Sequence, residues 1–373
     1  MLPRHVYVHV PFCARRCAYC DFSIAVRRVV PVDEFATALA GELAVRFGGV
    51  EPWAADTLYF GGGTPSRLGG DGIARVVEIM RNRIELADDA EVTIEANPDD
   101  ITVESIAAWA DSGVNRLSIG AQSFNEGVLT WMHRTHDSAA ISHAVDLARR
   151  GGIDNISVDL IFALPDAIER SWSDDVAKVL ALEPSHVSLY GLTIEPHTPL
   201  GRWQSRGEVD ESPEERYADE FLYAHETMTD AGFEHYEVSN FGRPGQHSRH
   251  NSAYWSAVAY AGLGPSAHEF DGHRRRWNVS AYADWVQRLA EPRDPEDGAE
   301  DLSTDSQAAE QVYLGLRTTN GLRLSEPEIA RVQPWIDSGW ARMAGPDRIV
   351  LTALGWLRLD GLAADLTLVR SRY

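Results

Sequence analysis

Across roughly the first two hundred residues, short β-branched runs take turns with amphipathic helical stretches. The expected strands are His5–Val10, Asp56–Phe60, Glu91–Glu95, Asn115–Ile119, Ile156–Phe162 and His186–Leu192. Between the first two, Asp33–Phe47 sets Phe35, Leu39, Leu43 and Phe47 four apart, which makes one stripe of a helix. Six strands alternating with helices predict parallel βα units in an α/β fold, forming an open sheet or a partial (β/α)6 barrel. In such folds the working residues gather at the C-terminal ends of the strands. The polar motifs fall there. A cysteine loop follows the first strand, Gly61-Gly62-Gly63-Thr64-Pro65 the second, and Glu95-Ala96-Asn97-Pro98 ends the third. Gln122 follows the fourth, Asp159 lies in the fifth and Thr193 follows the sixth.

Cys13, Cys17 and Cys20 are the only cysteines, spaced C-x3-C-x2-C. A disulfide would strand one thiol. A structural zinc ion wants four tetrahedral ligands, usually from two separated pairs, and the fourth would have to be His9, Asp21 or a distant histidine. Three thiolates on one loop suit an iron–sulfur cluster of four irons, one of which is left for a small molecule. Cluster, zinc and unliganded thiols all stand on chemistry alone.

At 373 residues, the chain has room for one large domain and a small one. Its 44% hydrophobic and 24% charged content reads as globular. A formal charge of −22 argues against nucleic acid, whose backbone needs a basic partner. Lys178 is the sole lysine and sits in a helical stretch, which leaves one unpromising candidate for Schiff-base chemistry. No apolar run approaches the roughly 20 residues that cross a bilayer. The start, MLPRHVYVHVPF, is too short and strand-like for a signal peptide, so a cytoplasmic location with reduced thiols is expected.

Further on, Ser212-Pro213-Glu214-Glu215 reads as a capped helix start, with the helix running to about Ala231. His235–Glu269 is dense in His, Asn, Tyr, Trp and Gly. Glu291–Thr304 is acidic with two prolines and reads as a linker. In the C-terminal part, Ser325-Glu326-Pro327-Glu328 repeats the capping pattern and Arg348–Leu359 suggests a hairpin, so a small α+β winged-helix-like unit is plausible. The expected division is 1–235, 236–300 and 301–373.

The run from Tyr7 to Phe22, YVHVPFCARRCAYCDF, resembles the signature of radical S-adenosylmethionine (SAM) proteins, and more narrowly the oxygen-independent coproporphyrinogen III oxidase family. The resemblance covers nearly the whole chain. It implies a [4Fe-4S] cluster on Cys13, Cys17 and Cys20 whose open iron is chelated by the amino and carboxylate groups of SAM. An electron from the cluster then cleaves the sulfonium to methionine and a 5′-deoxyadenosyl radical. The glycine run has little side-chain bulk, so its backbone can approach a ligand, although a tight turn would also favour glycine. By resemblance Gly62, Gly63 and Thr64 meet the SAM amino group and Glu95 the ribose hydroxyls, while Gln122 and Asp159 make further SAM contacts. Arg134 suits the carboxylate, and Tyr7, Tyr19 and Thr193 line the same pocket. Read singly, Arg134 could be a surface ion pair and Asp159 a helix cap.

Two departures bear on activity. The coproporphyrinogen oxidases resemble C-x3-C-x2-C-x-C, whereas Phe22 takes the fourth position here, and they carry a long segment before the first strand where this sequence has six residues before Tyr7. In the other direction, Arg249-His250-Asn251-Ser252-Ala253-Tyr254-Trp255 contains H-N-x-x-Y-W, which resembles the mark of the HemW family of haem chaperones. Imidazole ligates haem iron and aromatic rings pack on the macrocycle. Equally, His250 and Asn251 could tie down a loop while Tyr254 and Trp255 fill core. Ser248 stands where some relatives have cysteine, and His268, in Gly262-Leu263-Gly264-Pro265-Ser266-Ala267-His268, is a second ligand candidate. The expectation is a cytoplasmic haem chaperone that hands haem to apo-haemoproteins, with His250 at the haem. The alternatives are oxidative decarboxylation of coproporphyrinogen III and a structural zinc protein.

Overall fold

The computed structural model describes residues 2–370. All six expected strands form: β1 (His5–Val10), β2 (Trp53–Gly62), β3 (Ile84–Ala96), β4 (Arg116–Gln122), β5 (Asn155–Phe162) and β6 (His186–Gly191). They pair in parallel and in chain order. The crossovers are helical: α1 (Val32–Phe47), α2 (Gly69–Arg81), α3 (Val103–Asp111), α4 (Ser138–Arg150) and α5 (Trp172–Ala181). Phe35, Leu39, Leu43 and Phe47 are all buried, as the stripe on α1 requires.

Parallel strands covered on both faces usually read as unbroken apolar runs. Here they alternate. Val6, Val8, Leu58, Phe60, Leu117, Ile119, Val158, Leu160 and Val187 belong to the main apolar core. Between them stand Thr57, Glu91, Thr93, Arg116, Ser118, Ser157, His186 and Ser188, buried yet polar. One face of the curved sheet is thus a core under the helices, and the other is a polar interior.

The sheet continues at both edges. β7 (Glu234–Glu237) and β8 (Asn240–Gly242) follow α6 (Glu214–Asp230). Next come α7 (Arg249–Trp255), β9 (Tyr260–Leu263), β10 (His268–Phe270), β11 (Arg274–Asn278), α8 (Tyr282–Ala290) and β12 (Glu296–Asp301). The order is β12-β11-β10-β9-β1-β2-β3-β4-β5-β6-β8-β7. β1 pairs outward with β9 and β6 with β8, so the barrel stays partial.

Three sequence expectations need correction. Glu291–Thr304 is no linker: it holds β12, antiparallel to β11. The acidic stretch faces an arginine run, and Arg274 meets Glu296 at 3.0 Å while Arg276 meets Asp294 at 2.5 Å. Ser212 does not cap α6. Pro213 holds the N-cap position, and the Ser212 hydroxyl is buried without a partner. The hairpin is Ala341–Leu351 rather than Arg348–Leu359, because Thr352 caps a helical turn through the Gly355 N–H. That hairpin, α9 (Thr304–Arg317), α10 (Glu326–Asp337) and α11 (Leu359–Arg370) complete the C-terminal unit, whose three-stranded sheet also includes Leu322–Arg323. The unit runs helix–strand–helix–hairpin and ends in helix. Glu328 closes the expected box there, accepting from the Ser325 N–H at 2.7 Å and hydroxyl at 2.8 Å.

Candidate functional site

The cysteine loop leaves the end of β1 and is tied down along its length. Phe12–Cys13 pairs in parallel with Ala25–Val26, closing the loop at its base. Phe12 is buried against Phe35 and Tyr282, with ring centroids 5.6 and 5.0 Å away. Midway, the Ala18 N–H donates to Met132 O at 3.1 Å, and Ala18 O accepts from the Leu200 N–H at 2.9 Å. The thiols therefore hang from a fixed backbone.

All three line one cavity of about 360 Å³ at the C-terminal strand ends. Tyr19, Gly62, Gly63, Thr64, Glu95, Gln122, Arg134, Asp159 and Thr193 share that lining, so nine of the residues carried over by resemblance meet the cysteines. Cys13 Sγ lies 3.3 Å from the Thr64 hydroxyl, and an Arg134 guanidinium N–H donates to Cys17 Sγ at 3.5 Å. Burial pushes the Cys13 thiol up and the Cys20 thiol to about 11, so both stay protonated until a metal takes the proton's place. Among the described residues no three His, Cys, Asp or Glu side chains are grouped as ligands of one metal ion. Three thiolates on one loop suit a four-iron cube, each at its own corner. The donor set fits the cluster.

The rest of the wall is shaped by backbone. Gly62 has φ +110°, and a Cβ there would meet the His9 ring at 2.5 Å. A Cβ on Gly63 would strike the Pro11 backbone at 2.7 Å, so glycine lets the end of β2 lie against the strand that delivers Cys13. A bulge between Gly120 and Gln122, with Gln122 at φ +68°, re-aims that side chain into the cavity. A left-handed His133 (φ +61°) turns the chain after a short helix and aims Arg134 inward. The Arg134 guanidinium donates to Asn97 Oδ1 at 2.6 Å and to Gly120 O at 2.8 Å, and is no surface ion pair.

Two buried carboxyls face the same space. Glu95 accepts from the Tyr59 hydroxyl at 2.9 Å and the Gly62 N–H at 3.1 Å, yet burial raises its pKa to about 7. Burial also raises Asp159, against the pull of hydroxyl bonds that include Ser118 at 3.0 Å and Ser157 at 3.1 Å. Such carboxyls gain from a cationic ligand, because its charge offsets the cost of ionising them in a dry site. SAM, with its sulfonium and ammonium, fits that demand.

Two expected residues are elsewhere. Tyr7 lines an adjoining groove instead, its hydroxyl 3.1 Å from His9 Nδ1 and its ring stacked on Tyr59. His250 is 1% exposed. Its Nδ1 lies 2.7 Å from the Thr57 hydroxyl and its Nε2 2.9 Å from the Tyr254 hydroxyl, and its ring stacks on Tyr59 at 4.9 Å. Sequence reading gave Asn97 a strand-end place but no role, and missed Ser118 and Tyr190 in the cavity and the Ser157–His186–Tyr236 chain beneath it. The signal was present, since polar residues at every second position of NISVDLIF and HVSLYG mark an inward polar face.

Comparison with known proteins agrees with this geometry. The radical SAM superfamily matches residues 7–178. A heme chaperone HemW of Synechocystis sp. is 34% identical, covering 94% of this chain and 89% of the relative. One of Mycobacterium tuberculosis is 35% identical over 98% of this chain and 95% of its own. The solved coproporphyrinogen III oxidase HemN of Escherichia coli, a radical SAM enzyme, superposes with a TM-score of 0.83 at 23% identity, covering 98% of this chain and 90% of that one.

Proposed function

The chain belongs to the HemW family of the radical SAM superfamily, and from that premise we propose that it is a haem chaperone that binds haem and hands it to apo-haemoproteins. The observation that carries the reading is likeness to heme chaperones through almost the full chain, at 34% identity over 94% of it. The fold is shared with the oxidase HemN and does not discriminate between the two activities.

In this reading Cys13, Cys17 and Cys20 hold a [4Fe-4S] cluster. When bound, such a cluster would supply an iron for SAM and an electron for the sulfonium. The chain's own residues do the positioning. Arg134, fixed by Asn97 and Gly120, presents a cation toward the cofactor carboxylate. Glu95, held by Tyr59 and Gly62, offers acceptors to ribose hydroxyls. Gly62, Gly63 and Thr64 bring backbone to the amino group, while Tyr19, Gln122, Asp159 and Thr193 close the walls. The recipients are apo-haemoproteins, and the −22 charge opposes nucleic acid. A cytoplasmic location is part of this reading; no described helix is long and apolar enough to cross a membrane.

The deciding experiment mixes haem-loaded protein with an apo-haemoprotein, and separately supplies coproporphyrinogen III with SAM and reductant under anaerobic conditions. The chaperone reading expects the recipient's absorption band to grow and no vinyl product to form. Stoichiometric protoporphyrinogen IX without haem transfer would replace it with the oxidase reading.

A further inference from the structure

A haem chaperone needs a seat for haem, and His250 does not offer one: it is sealed in, with both ring nitrogens engaged. Next to the cysteine loop lies a groove of about 590 Å³, in the range of about 300–1,000 Å³ usual for small-molecule sites. It opens between β1, the β9–β11 edge of the sheet and α9, which supplies Glu310 and Leu314. Phe22, which stands where the oxidases carry their further cysteine, is exposed and lines both this groove and the cluster cavity.

The lining suits a flat macrocycle. Tyr254, Trp255, Tyr260 and Phe270 present rings, with Tyr254 edge-on to Tyr260 at 4.5 Å. Two histidines reach the groove. His9 is buried, with Nδ1 on the Tyr7 hydroxyl at 3.1 Å and Nε2 on Ser23 O at 3.2 Å, so it has no free nitrogen. His268 at the start of β10 is exposed, its ring is backed by Trp277 at 5.9 Å, and its imidazole forms no hydrogen bond among the described residues. Arg275 on the neighbouring strand lies over the Phe270 ring and pairs with Glu310 of α9, leaving further donors of its five for an acid at the rim.

We propose that this groove is the haem seat, with His268 as the axial ligand, the aromatic walls on the macrocycle and Arg275 at the propionate edge. The H-N-x-x-Y-W helix builds one wall. Tyr254 and Trp255 face the groove, while His250, one helical turn back, is a positioning residue that holds Tyr254 by its hydroxyl. The assignment rests on the chaperone reading.

The test is a haem titration of the full chain, read by the visible spectrum and by binding strength. The wild type is expected to show a histidine-ligated band. In His268→Ala that band is lost, and affinity falls by at least the roughly tenfold that removing an outer partner of a metal site costs. Added imidazole restores the band in that variant. His250→Gln keeps the wild-type band position, whatever it does to affinity. Arg275→Ala weakens binding of haem but not of haem dimethyl ester, which has no free propionates. Wild-type binding with an unchanged His268→Ala spectrum, or loss of the band in His250→Gln, overturns the groove assignment alone. A wild type that binds no haem overturns the chaperone reading and the groove with it.

Discussion

His250 and Tyr254 stand four residues apart, one turn of α7, and the structure uses that spacing to join an imidazole to a phenol inside the protein. Removing the ring leaves the Tyr254 hydroxyl unpaired beside a hole and leaves the Thr57 hydroxyl with His5 alone. His250→Ala is therefore expected to cost about 2–4 kcal/mol, visible as a lower urea midpoint with an unchanged slope. A midpoint equal to wild type would show that the ring carries no structural load. At this scale the cysteine trio was legible from chemistry, because no other thiols compete for the role. Glu95, Gln122 and Asp159 were legible from their place at strand ends, with their roles supplied by resemblance, and Arg134 by resemblance alone; all four line one cavity. Tyr7 and His250 lie outside that cavity for one shared reason: a motif says which residues are near, while neighbours such as His9, Thr57 and Tyr59 decide which way a ring points.

Among the elements, helices with a clean apolar stripe and strands with β-branched cores were readable from local pattern, as α1 and β1 show. β12 was not. Its sequence, EDGAED, has no β-propensity, and it forms because β11 brings three consecutive arginines alongside. Cross-strand charge is information held by two distant segments. Arg276, which reaches both Asp294 and Glu296, is the strongest link. Arg276→Ala is expected to speed amide exchange across 296–301 while leaving β1–β6 protected. Unchanged exchange at 296–301 would mean that backbone pairing alone holds the edge. The same strand carries Arg275, so the acidic cover on this edge also helps to fix one wall of the proposed haem groove.

At the scale of the molecule, the alternation of elements predicted the partial barrel, and the alternation within strands shows why its interior is a site. An inner face of Thr, Glu, Arg, Ser and His is costly, and the cost shows in titration. Burial lowers His9 and His136 to about 4 and His235 and His250 to about 3, and it also depresses His5, His186, His225 and His268. The folded state binds fewer protons at these groups than the unfolded chain does, so their contribution is intact above pH about 6.5 and is lost as pH falls. Glu95, Asp100, Asp159 and Glu237, raised by burial, pull the other way above their unfolded values near 4. Eight histidines set against four carboxyls give a urea midpoint that drops from pH 7 to pH 5, each histidine adding at most about 1.4 kcal/mol per pH unit. A midpoint that rises on acidification would contradict the buried, neutral histidines. The whole account turns on the cavity where three thiols and two carboxyls meet. Its most direct test is electron paramagnetic resonance of the anaerobically reconstituted, reduced protein, recorded with and without SAM. The expected result is a four-iron signal that changes shape when SAM is added and is absent from Cys17→Ser. A cluster signal indifferent to SAM, or bound zinc without sulfide, would contradict it.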